Sequence, residues 1–390
     1  MCDVPALRFP EFTDEWQHIL NKELFNPVSD KNKDKIITLI LSASQTEGMI
    51  ERNNIGIDIK FDENSVKNYK IVRTGDYVVH LRSFQGGFAF SELTGICSPA
   101  YTILRPNKQL QYGFLRAYFM SKKFIDSLRL VTYGIRDGKS ISVEEWMQLY
   151  TNIPSDKEQD KIIKLFNILD ERIKLQNKII EKYESLIQAI IYKEKMDGIS
   201  KGTWQKIALC KVLQERNEKN VNGRTICSVS VSQGVVNQVE YLGRSFAAKQ
   251  TSHYNIVKYG DIVYTKSPTG NFPFGIIKRS NIREDVAVSP LYGVYIPVSD
   301  SIGVFLHFYF MQPSNAFNYL HPLIQKGAKN TINITNGRFL ENSVPLPISR
   351  SETNTIAGIL KTIQTKIEIE KNLLQSYTKE KKYLLRQMFI

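Results

Sequence analysis

The chain has 390 residues, of which 42% are hydrophobic and 23% are charged. This composition is typical of a folded globular protein, and the length allows about two cores of ordinary domain size. The formal net charge is +13 and the sequence pI is about 9.3. An excess of lysine and arginine favours a polyanionic partner, because each cation that meets a phosphate releases a condensed counterion.

The cysteines and histidines argue against a disulfide framework and against a metal site. Cys2, Cys97, Cys210 and Cys227 lie far apart without a Cys-x-x-Cys pair, and the five histidines are scattered. No apolar run approaches the ~18–20 residues that a membrane span needs, and the N-terminus lacks the basic and apolar regions of a signal peptide. We therefore expect a cytoplasmic protein with no metal and no membrane contact.

The first part of the chain, residues 1–151, is predicted to form a domain of mixed α and β structure. Short β-branched or aromatic runs bounded by Gly, Pro, Asn or Asp predict strands, and apolar residues at helical spacing predict a helix. The predicted strands are Ile36–Leu41, Tyr69–Val72, Tyr77–His80 and Ala100–Leu104, and the predicted helix is Gln111–Leu130.

A long helix is predicted over residues 152–198. Ser155 or Asp156 can cap its N-terminus, and Glu158 suits the positive end of the helix dipole. The apolar residues alternate in steps of four and three, which is the heptad pattern of a coiled coil, with Gln176 as the polar exception. The predicted seam consists of Ile162, Phe166, Leu169, Ile173, Ile180, Tyr183, Ile187 and Ile190.

Residues 199–344 repeat the plan of the first domain. The sequence around Gly75-Asp76 returns around Gly260-Asp261, and Trp16 near the start of the first domain is matched by Trp204. The period is far longer than that of a solenoid repeat, so the pattern indicates duplication of a domain.

A second heptad segment lies in residues 345–390. A narrow apolar seam needs a partner helix, so we predict that the two helices pair antiparallel, preferably in the register that places Phe166 opposite Leu384. A second register, which places Phe166 opposite Tyr377, fits almost as well. The predicted fold class is α+β, with two similar globular domains that are each followed by a long helix, and an antiparallel coiled coil between the helices. The second seam consists of Ile356, Leu360, Ile363, Ile367, Leu374, Tyr377, Leu384 and Met388.

The motifs of a catalytic chain are missing from the sequence. The segment 134–140 is similar to a phosphate-binding loop, but it has one residue too few between its glycines, and the matching segment 327–332 lacks Gly-Lys-Ser. We find no dinucleotide fingerprint, no nucleophile elbow and no amino-methyltransferase signature. We therefore predict a chain without catalytic residues and without a cofactor of its own.

Polar, glycine-rich loops occur at equivalent places in the two domains, at 80–87 and 265–271 and at 133–140 and 325–331. Arg, Asn and Gln can read bases in the major groove, and Lys, Ser and Thr can hold phosphates. Each residue alone could belong to an ordinary solvated loop, but doubled loops on a basic chain favour DNA binding. The candidate DNA-binding residues are Arg82, Ser83, Gln85, Arg136, Lys139, Lys266, Thr269, Asn271, Lys326, Lys329 and Asn330.

The whole chain resembles the DNA specificity subunit of type I restriction-modification systems. The resemblance is carried by the opening segment Val4–Trp16, by the Gly-Asp-Tyr-Val and Gly-Asp-Ile-Val strands, and by the proline segments that precede both helices. It implies target recognition domains at 1–151 and 199–344, and helical spacers at 152–198 and 345–390.

The resemblance also implies the partners. The two domains would each read one half of a split, asymmetric sequence in double-stranded DNA, and the helices would dock two modification (methyltransferase) subunits. Restriction subunits would add ATPase and endonuclease activity. S-adenosylmethionine, ATP and Mg are expected on those partner subunits, which explains why this chain lacks their motifs.

Three rival functions share parts of this pattern. A two-headed DNA-binding regulator without a methyltransferase partner would show the same sequence features. An ATPase would use the segment 134–140. A structural coiled-coil scaffold would show no DNA affinity, whereas a basic DNA clamp should bind with steep salt dependence.

Overall fold

The computed structural model describes residues 4–44, 47–55, 63–80, 87–133, 140–244, 247, 250–326 and 332–389. The chain divides into two units, of which unit 1 comprises Met1–Gln176 and Leu373–Ile390, and unit 2 comprises Asn177–Asn372. Each unit contains a sheet-rich part and segments of two long helices. Antiparallel strand pairs together with separate helices in both units confirm the predicted α+β class.

In unit 1 the strands are short, because Gly, Pro, Asn and Asp interrupt the β-forming runs. They are β1 Gln17–Leu20, β2 Phe25–Val28, β3 Leu41–Ser44, β4 Gly48–Glu51, β5 Lys70–Val72, β6 Tyr77–Val79, β7 Phe88–Phe90, β8 Gly95–Cys97, β9 Thr102–Pro106, β10 Thr132–Tyr133, β11 Ser140–Ile141 and β12 Tyr150–Ile153. The helices are α1 Asn21–Leu24, α2 Phe114–Phe119, α3 Lys122–Ser127, α4 Val143–Trp146 and the long α5 Asp156–Lys201, and 3-10 turns lie at Arg52–Ile55, Glu63–Asn68 and Leu128–Val131.

The central sheet of unit 1 is antiparallel in the order β2-β9-β6-β7, and the remaining strands pair as β1-β12, β3-β4, β5-β8 and β10-β11. An aromatic core packs on this sheet. Tyr77 from β6 contacts Phe25 from β2 with ring centroids 5.6 Å apart, and Phe88 from β7 contacts Trp146 from α4 at 4.8 Å. These rings are large and nearly inaccessible to solvent, so each of them contributes strongly to the hydrophobic stabilisation of the unit.

Two predicted elements of unit 1 are wrong. The single helix predicted over Gln111–Leu130 is interrupted at Met120–Ser121, because the Ser121 hydroxyl accepts the Phe124 N–H at 3.1 Å and caps a new helix, α3. The strand predicted over Ile36–Leu41 begins only at Leu41.

The strands and helices of unit 2 follow the same order as those of unit 1. The strands are β13 Trp204–Ala208, β14 Leu213–Glu215, β15 Cys227–Ser230, β16 Gly234–Asn237, β17 Asn255–Val257, β18 Ile262–Tyr264, β19 Ile277–Arg279, β20 Val286–Val288, β21 Gly293–Pro297, β22 Gln325–Lys326, β23 Ile332–Asn333 and β24 Ser343–Pro347. The helices are α6 Gln238–Leu242, α7 Asp300–Phe310, α8 Pro313–Leu320, α9 Asn336–Phe339 and the long α10 Arg350–Gln387, with 3-10 turns at Leu209–Lys211 and His321–Leu323.

Strand pairing in unit 2 confirms the predicted duplication. Its central sheet has the order β14-β21-β18-β19, which is the order of the corresponding strands in unit 1. The further pairs β13-β24, β15-β16, β17-β20 and β22-β23 also have a counterpart in unit 1. The repeat seen in the sequence is therefore a repeat of topology.

The repeated Gly-Asp dipeptide forms the same corner in each unit. Gly75 and Gly260 adopt φ values of 95° and 91°, which favour glycine. The carboxylate one residue later accepts a backbone N–H at 2.8 Å, from Arg73 to Asp76 in unit 1 and from Lys258 to Asp261 in unit 2. This turn places the strand after the dipeptide at the middle of the sheet.

An arginine fixes each of these buried carboxylates, but from a different strand. Arg105 on β9 donates to Asp76 through Nε and Nη2 at 2.9 and 3.0 Å. In unit 2, Arg216 follows β14 and donates to Asp261 at 2.7 and 3.0 Å. A bidentate pair of this kind satisfies a carboxylate that would otherwise be costly to bury.

The residues of the predicted seams lie on the sides of α5 and α10 that are shielded from solvent. Ile173, Tyr183, Ile190, Leu374, Tyr377 and Leu384 are half-buried. The other predicted seam residues are buried, and they are Ile162, Phe166, Leu169, Ile180, Ile187, Ile356, Leu360, Ile363, Ile367 and Met388. Gln176 is also buried, as its place in the seam predicts.

Two contacts in unit 1 show that the two helices run antiparallel, because the residue number rises along α5 as it falls along α10. In unit 1, Lys381 of α10 pairs with Asp170 of α5, and the Arg172 guanidinium lies 5.4 Å from the ring centre of Tyr377. Both pairs fall within one position of the register that places Phe166 opposite Leu384. In unit 2, Lys371 donates to Glu184 at 2.9 Å, which is five positions along α5 from Ile179, the residue that this register places opposite Lys371.

The end of the chain completes the core of unit 1. Phe389 lies 6.3 Å from Trp16, 5.9 Å from Phe114 and 5.9 Å from Phe166, measured between ring centroids. The Leu7 N–H donates to the Gln387 carbonyl at 3.0 Å, so residues near both ends of the chain belong to one packed region.

Within the described part of the chain, no helix is long and apolar enough to cross a membrane. The same residues contain no cluster of three or more His, Cys, Asp or Glu side chains that could hold a metal ion.

Neighbouring residues of α10 provide a test of the seam. Leu360 is fully buried, whereas 45% of Ile359 is exposed. We expect Leu360→Ala to lower the free energy of unfolding by ~2–5 kcal/mol, because it leaves a cavity in the seam. Ile359→Ala should cost less than ~1 kcal/mol, since it removes surface that is already largely in water. Equilibrium urea unfolding measures both, and equal losses would contradict the assignment of the buried face.

Candidate nucleic-acid interface

Most of the candidate DNA-binding residues lie outside the described part of the chain, namely Arg82, Ser83, Gln85, Arg136, Lys139, Lys329 and Asn330. For Lys326 the structure describes the backbone, which is the second residue of β22. Lys266, Thr269 and Asn271 are described, and all three belong to the connection between β18 and β19 in unit 2.

The connection between β18 and β19 is an ordered hairpin. Thr265 and Ile276 continue the ladder, with the Thr265 N–H donating to the Ile276 carbonyl at 2.9 Å. At the tip, Thr269 and Phe272 exchange backbone hydrogen bonds at 3.1 and 2.9 Å. Phe272 is buried beneath the tip. The loop therefore has a defined shape, which is a requirement for reading a groove by direct contact.

The three described candidate residues differ in exposure. Thr269 and Asn271 are exposed at the tip of the hairpin, where their side chains can reach a partner. Lys266 is half-buried at its base, and burial lowers the pKa of its ammonium group. A half-buried cation gains more from an approaching phosphate than a fully hydrated one does, because its own hydration is already incomplete.

The second candidate loop of unit 2 begins close to the first. Phe274 of the β18-β19 hairpin packs on Phe317 and His321, with ring centroids 5.1 and 5.8 Å apart. His321 opens the 3-10 turn that leads into β22, and β22 pairs with β23 across the second loop. Ring packing therefore joins the bases of the two loops at one end of unit 2.

This ring cluster was missed in the analysis of the sequence. Phe317 and His321 stack with centroids 5.2 Å apart and planes within 14°. Phe317 is 41% exposed, so part of an aromatic ring faces solvent beside the candidate loops. The available signal was their spacing of four residues, which places both rings on the same side of a helical segment.

In unit 1 the bases of the corresponding loops are described. The His80 N–H donates to the Gly87 carbonyl at 2.9 Å, which closes the base of the first loop between β6 and β7. Burial lowers the pKa of the His80 ring, so the ring is neutral near pH 7. The second loop joins β10 to β11, and Tyr133 at its base donates to Glu145 at 2.6 Å.

The strand pairing at this second loop argues against nucleotide hydrolysis. A phosphate-binding loop needs a helix directly after it, because the N–H groups of the helix N-terminus hold the phosphate. Ser140–Ile141, at the end of the segment 134–140, instead forms strand β11. The described residues at either end of the segment therefore pair as antiparallel strands, β10 with β11.

Two glycines in the β18-β19 hairpin provide a matched test of its shape. Gly275 has φ 98°, and a Cβ at this position would lie 1.8 Å from the Thr265 carbonyl oxygen. We expect Gly275→Ala to lower the free energy of unfolding by about 3 kcal/mol and to displace the tip of the hairpin. Gly270 has φ 52° and nothing within 4 Å of such a Cβ, so Gly270→Ala should cost only about 1 kcal/mol. Urea unfolding gives both values, and two equal effects would show that the hairpin is not packed as described.

Comparison with known proteins supports the fold. No family model matches the sequence, and no curated protein matches it. Among solved structures, the type I restriction-modification system S subunit from M. genitalium is 14% identical, with 99% of each chain covered and a TM-score of 0.62.

A second solved chain comes from a structure described as the basis of complex assembly and conformational transition of the type I restriction-modification system. It is 15% identical, with 97% of this chain and 98% of that chain covered and a TM-score of 0.51. At this level of identity the likeness concerns the fold. The chain has the fold of the type I restriction-modification S subunit over almost its whole length.

Proposed function

We propose that this chain is the non-catalytic subunit that gives a type I restriction-modification complex its DNA sequence specificity. The proposal rests on the duplication of one sheet topology, with equivalent loops in both copies and with two paired helices. This arrangement matches the fold of a solved S subunit over 99% of each chain. Two similar readers on one chain suit a DNA target that is split into two parts.

The target should be asymmetric, because the equivalent loops differ in sequence. In unit 2 the hairpin presents Thr269 and Asn271, and in unit 1 the matching segment contains Arg82 and Gln85. Asn and Gln suit adenine and Arg suits guanine, since each pairing forms two hydrogen bonds in the major groove. Lys266 would hold a phosphate and orient the loop without reading sequence.

Exposed apolar side chains on the helices are the surface that suits the partner subunits. The side chains of the seam are covered within this chain. The exposed apolar side chains lie outside the seam, so another protein would have to cover them. In unit 1 they are Ile168, Leu175, Leu373 and Tyr383, and in unit 2 they are Ile179, Leu186, Tyr192, Met196, Ile199, Ile359 and Ile369.

One such surface in each of two similar units would dock two copies of the modification subunit. Restriction subunits would join the same complex, which would act in the cytoplasm. S-adenosylmethionine, ATP and Mg would be bound by these partners, and this chain would bind double-stranded DNA and no cofactor.

The decisive experiment is to co-express the chain with a type I modification subunit and to map methylated adenine across the host genome. We expect a split, asymmetric motif that is present only when this chain is present. Asn271→Ala should relax one half of the motif and leave the other half intact, since a lost paired contact costs ~1–3 kcal/mol of discrimination. Asn217→Ala is the matched control, because it removes an exposed asparagine of unit 2 outside both candidate loops.

Three outcomes would count against the proposal in different ways. An unchanged motif in Asn271→Ala would remove that residue from the interface. DNA binding without any methylation would favour the two-headed regulator. A chain with neither DNA affinity nor a methylation motif would be a coiled-coil scaffold.

The docking surface has its own test in unit 2. We expect Leu186→Glu to weaken binding of the modification subunit at least tenfold, or about 1.4 kcal/mol, because it places a charge in an apolar contact. The unfolding temperature should not change, since 43% of Leu186 is exposed. Ser185→Glu adds the same charge at the adjacent exposed position and should bind normally. Analytical ultracentrifugation of the mixed subunits measures both, and equal losses would reject this face of α5.

A further inference from the structure

A cleft in unit 2, away from the candidate loops, is lined by cations. It consists of two adjoining cavities of about 420 and 70 Å³, which share Arg279, Asn281, His307 and Gln364. The larger cavity is also lined by Arg283, Lys361 and Glu368, and the smaller one by Lys278 and the Ser232–Gly234 turn. Arg279 is the last residue of β19 and pairs with Ile262, the first residue of β18. It therefore lies at the end of these strands that is opposite the hairpin carrying Thr269 and Asn271.

Lys278 is buried, and no residue in the described part of the chain supplies a counter-charge. Only 3% of its surface is exposed, and the described residues provide its ammonium group with no hydrogen bond and no ion pair. Burial lowers the pKa of Lys278 to about 8, so most of the group is still charged at pH 7. An unpaired charge in this position destabilises the folded protein unless an anion joins it.

Arg279 is the second buried cation, with 4% of its surface exposed. Its guanidinium pairs with Asp300, donates to Asn281 and lies 4.6 Å from the ring centre of Tyr259. Its Nε–H is buried without a partner among the described residues. Asp300 also pairs with Lys361, so this single carboxylate is shared by two cations.

His307 adds a neutral donor to the cleft. Its Nδ1 accepts the Arg279 backbone N–H at 3.1 Å, so the neutral ring carries its proton on Nε2. Burial and the neighbouring charges of Lys278 and Arg279 lower the pKa of His307 to about 3. The ring is therefore an uncharged hydrogen-bond donor at physiological pH.

The corresponding positions of unit 1 show that the fold does not require these cations. Strand pairing makes Phe90 and Ala89 the counterparts of Arg279 and Lys278, since β6 pairs with β7 as β18 pairs with β19. Phe90 and Ala89 are buried apolar residues. The same topology thus carries apolar side chains at these two positions in one unit, and an unpaired lysine and a buried arginine in the other.

We propose that this cleft of unit 2 binds a phosphate group, which would lie between Lys278, Arg279 and His307 with Arg283 at its mouth. A phosphate accepts hydrogen bonds from several donors at once and would neutralise the unpaired charge. Glu368 lines the larger cavity only. The described residues that line the smaller cavity include Lys278 and Arg279 and no carboxylate, so this cavity has an excess of positive charge. This proposal does not depend on the proposed function, since a phosphate could come from duplex DNA or from a free phosphate compound.

The test uses sulfate, a tetrahedral anion of constant charge, titrated into the full chain at constant ionic strength in an isothermal titration calorimeter. We expect saturable binding of one sulfate per chain. Lys278→Met should weaken this binding at least tenfold and also raise the unfolding temperature in sulfate-free buffer, because it removes a buried charge. Lys211→Met removes an exposed lysine of the same unit and should change neither.

Arg283→Gln keeps the test decisive if the buried substitution fails to fold, because Arg283 is exposed at the mouth of the cleft. It should fold normally and bind sulfate several times more weakly. Absence of saturable binding, equal affinities for Lys278→Met and the native chain, or a lower unfolding temperature in Lys278→Met would overturn the proposal. If sulfate binds, competition by duplex DNA would identify the phosphate as that of the DNA backbone, and simultaneous binding would identify a free phosphate compound.

Discussion

The apolar seam of the two long helices is the constraint on which the rest of the structure depends. A helix with one narrow apolar face cannot remain alone in water, so α5 and α10 must cover each other. Because the pairing is antiparallel, the C-terminal part of α10 packs with the first part of α5 in unit 1. Phe389 then joins the core around Trp16, and one end of the chain becomes part of the first domain.

Duplication preserved the plan of the sheet while the side chains that stabilise it changed. The buried carboxylate of each Gly-Asp corner needs a cation, and both units supply a bidentate arginine. Arg105 lies on β9, next to the strand that follows the corner, and Arg216 follows β14, one strand further away, yet each reaches the same position of the corner. The physical requirement is a satisfied charge, and it does not matter which strand provides the partner.

The same freedom explains how two copies of one domain can differ in what they bind. Loops that project from a sheet shared by both copies can change sequence without disturbing the core, so each copy can acquire its own binding properties. The cleft around Lys278 and Arg279 is a second difference of this kind. The unpaired charge of Lys278 costs stability, and a residue that costs stability in a folded protein is most readily explained by a ligand.

The sequence by itself determined the duplication, the two heptad seams and the positions of the Gly-Asp corners, because each of these is a local pattern with a fixed period or a fixed conformational requirement. Residues such as Leu360 and Ile187 are buried where the heptads place them. The strand at Tyr77 was also predictable, since a β-branched and aromatic run follows a turn. The candidate loops could be located in the same way, although their contacts with a partner could not.

Only the tertiary structure decided which long-range partners complete each local pattern. The break at Ser121 depends on a capping hydrogen bond that competes with continuous helical spacing. The packing of Phe274 on His321 joins two loops that are far apart in the chain. The burial of Lys278 depends on a turn of another strand pair and on α7. Burial and charge pairing are properties of the assembled surroundings, and no spacing of residues along the chain specifies those surroundings.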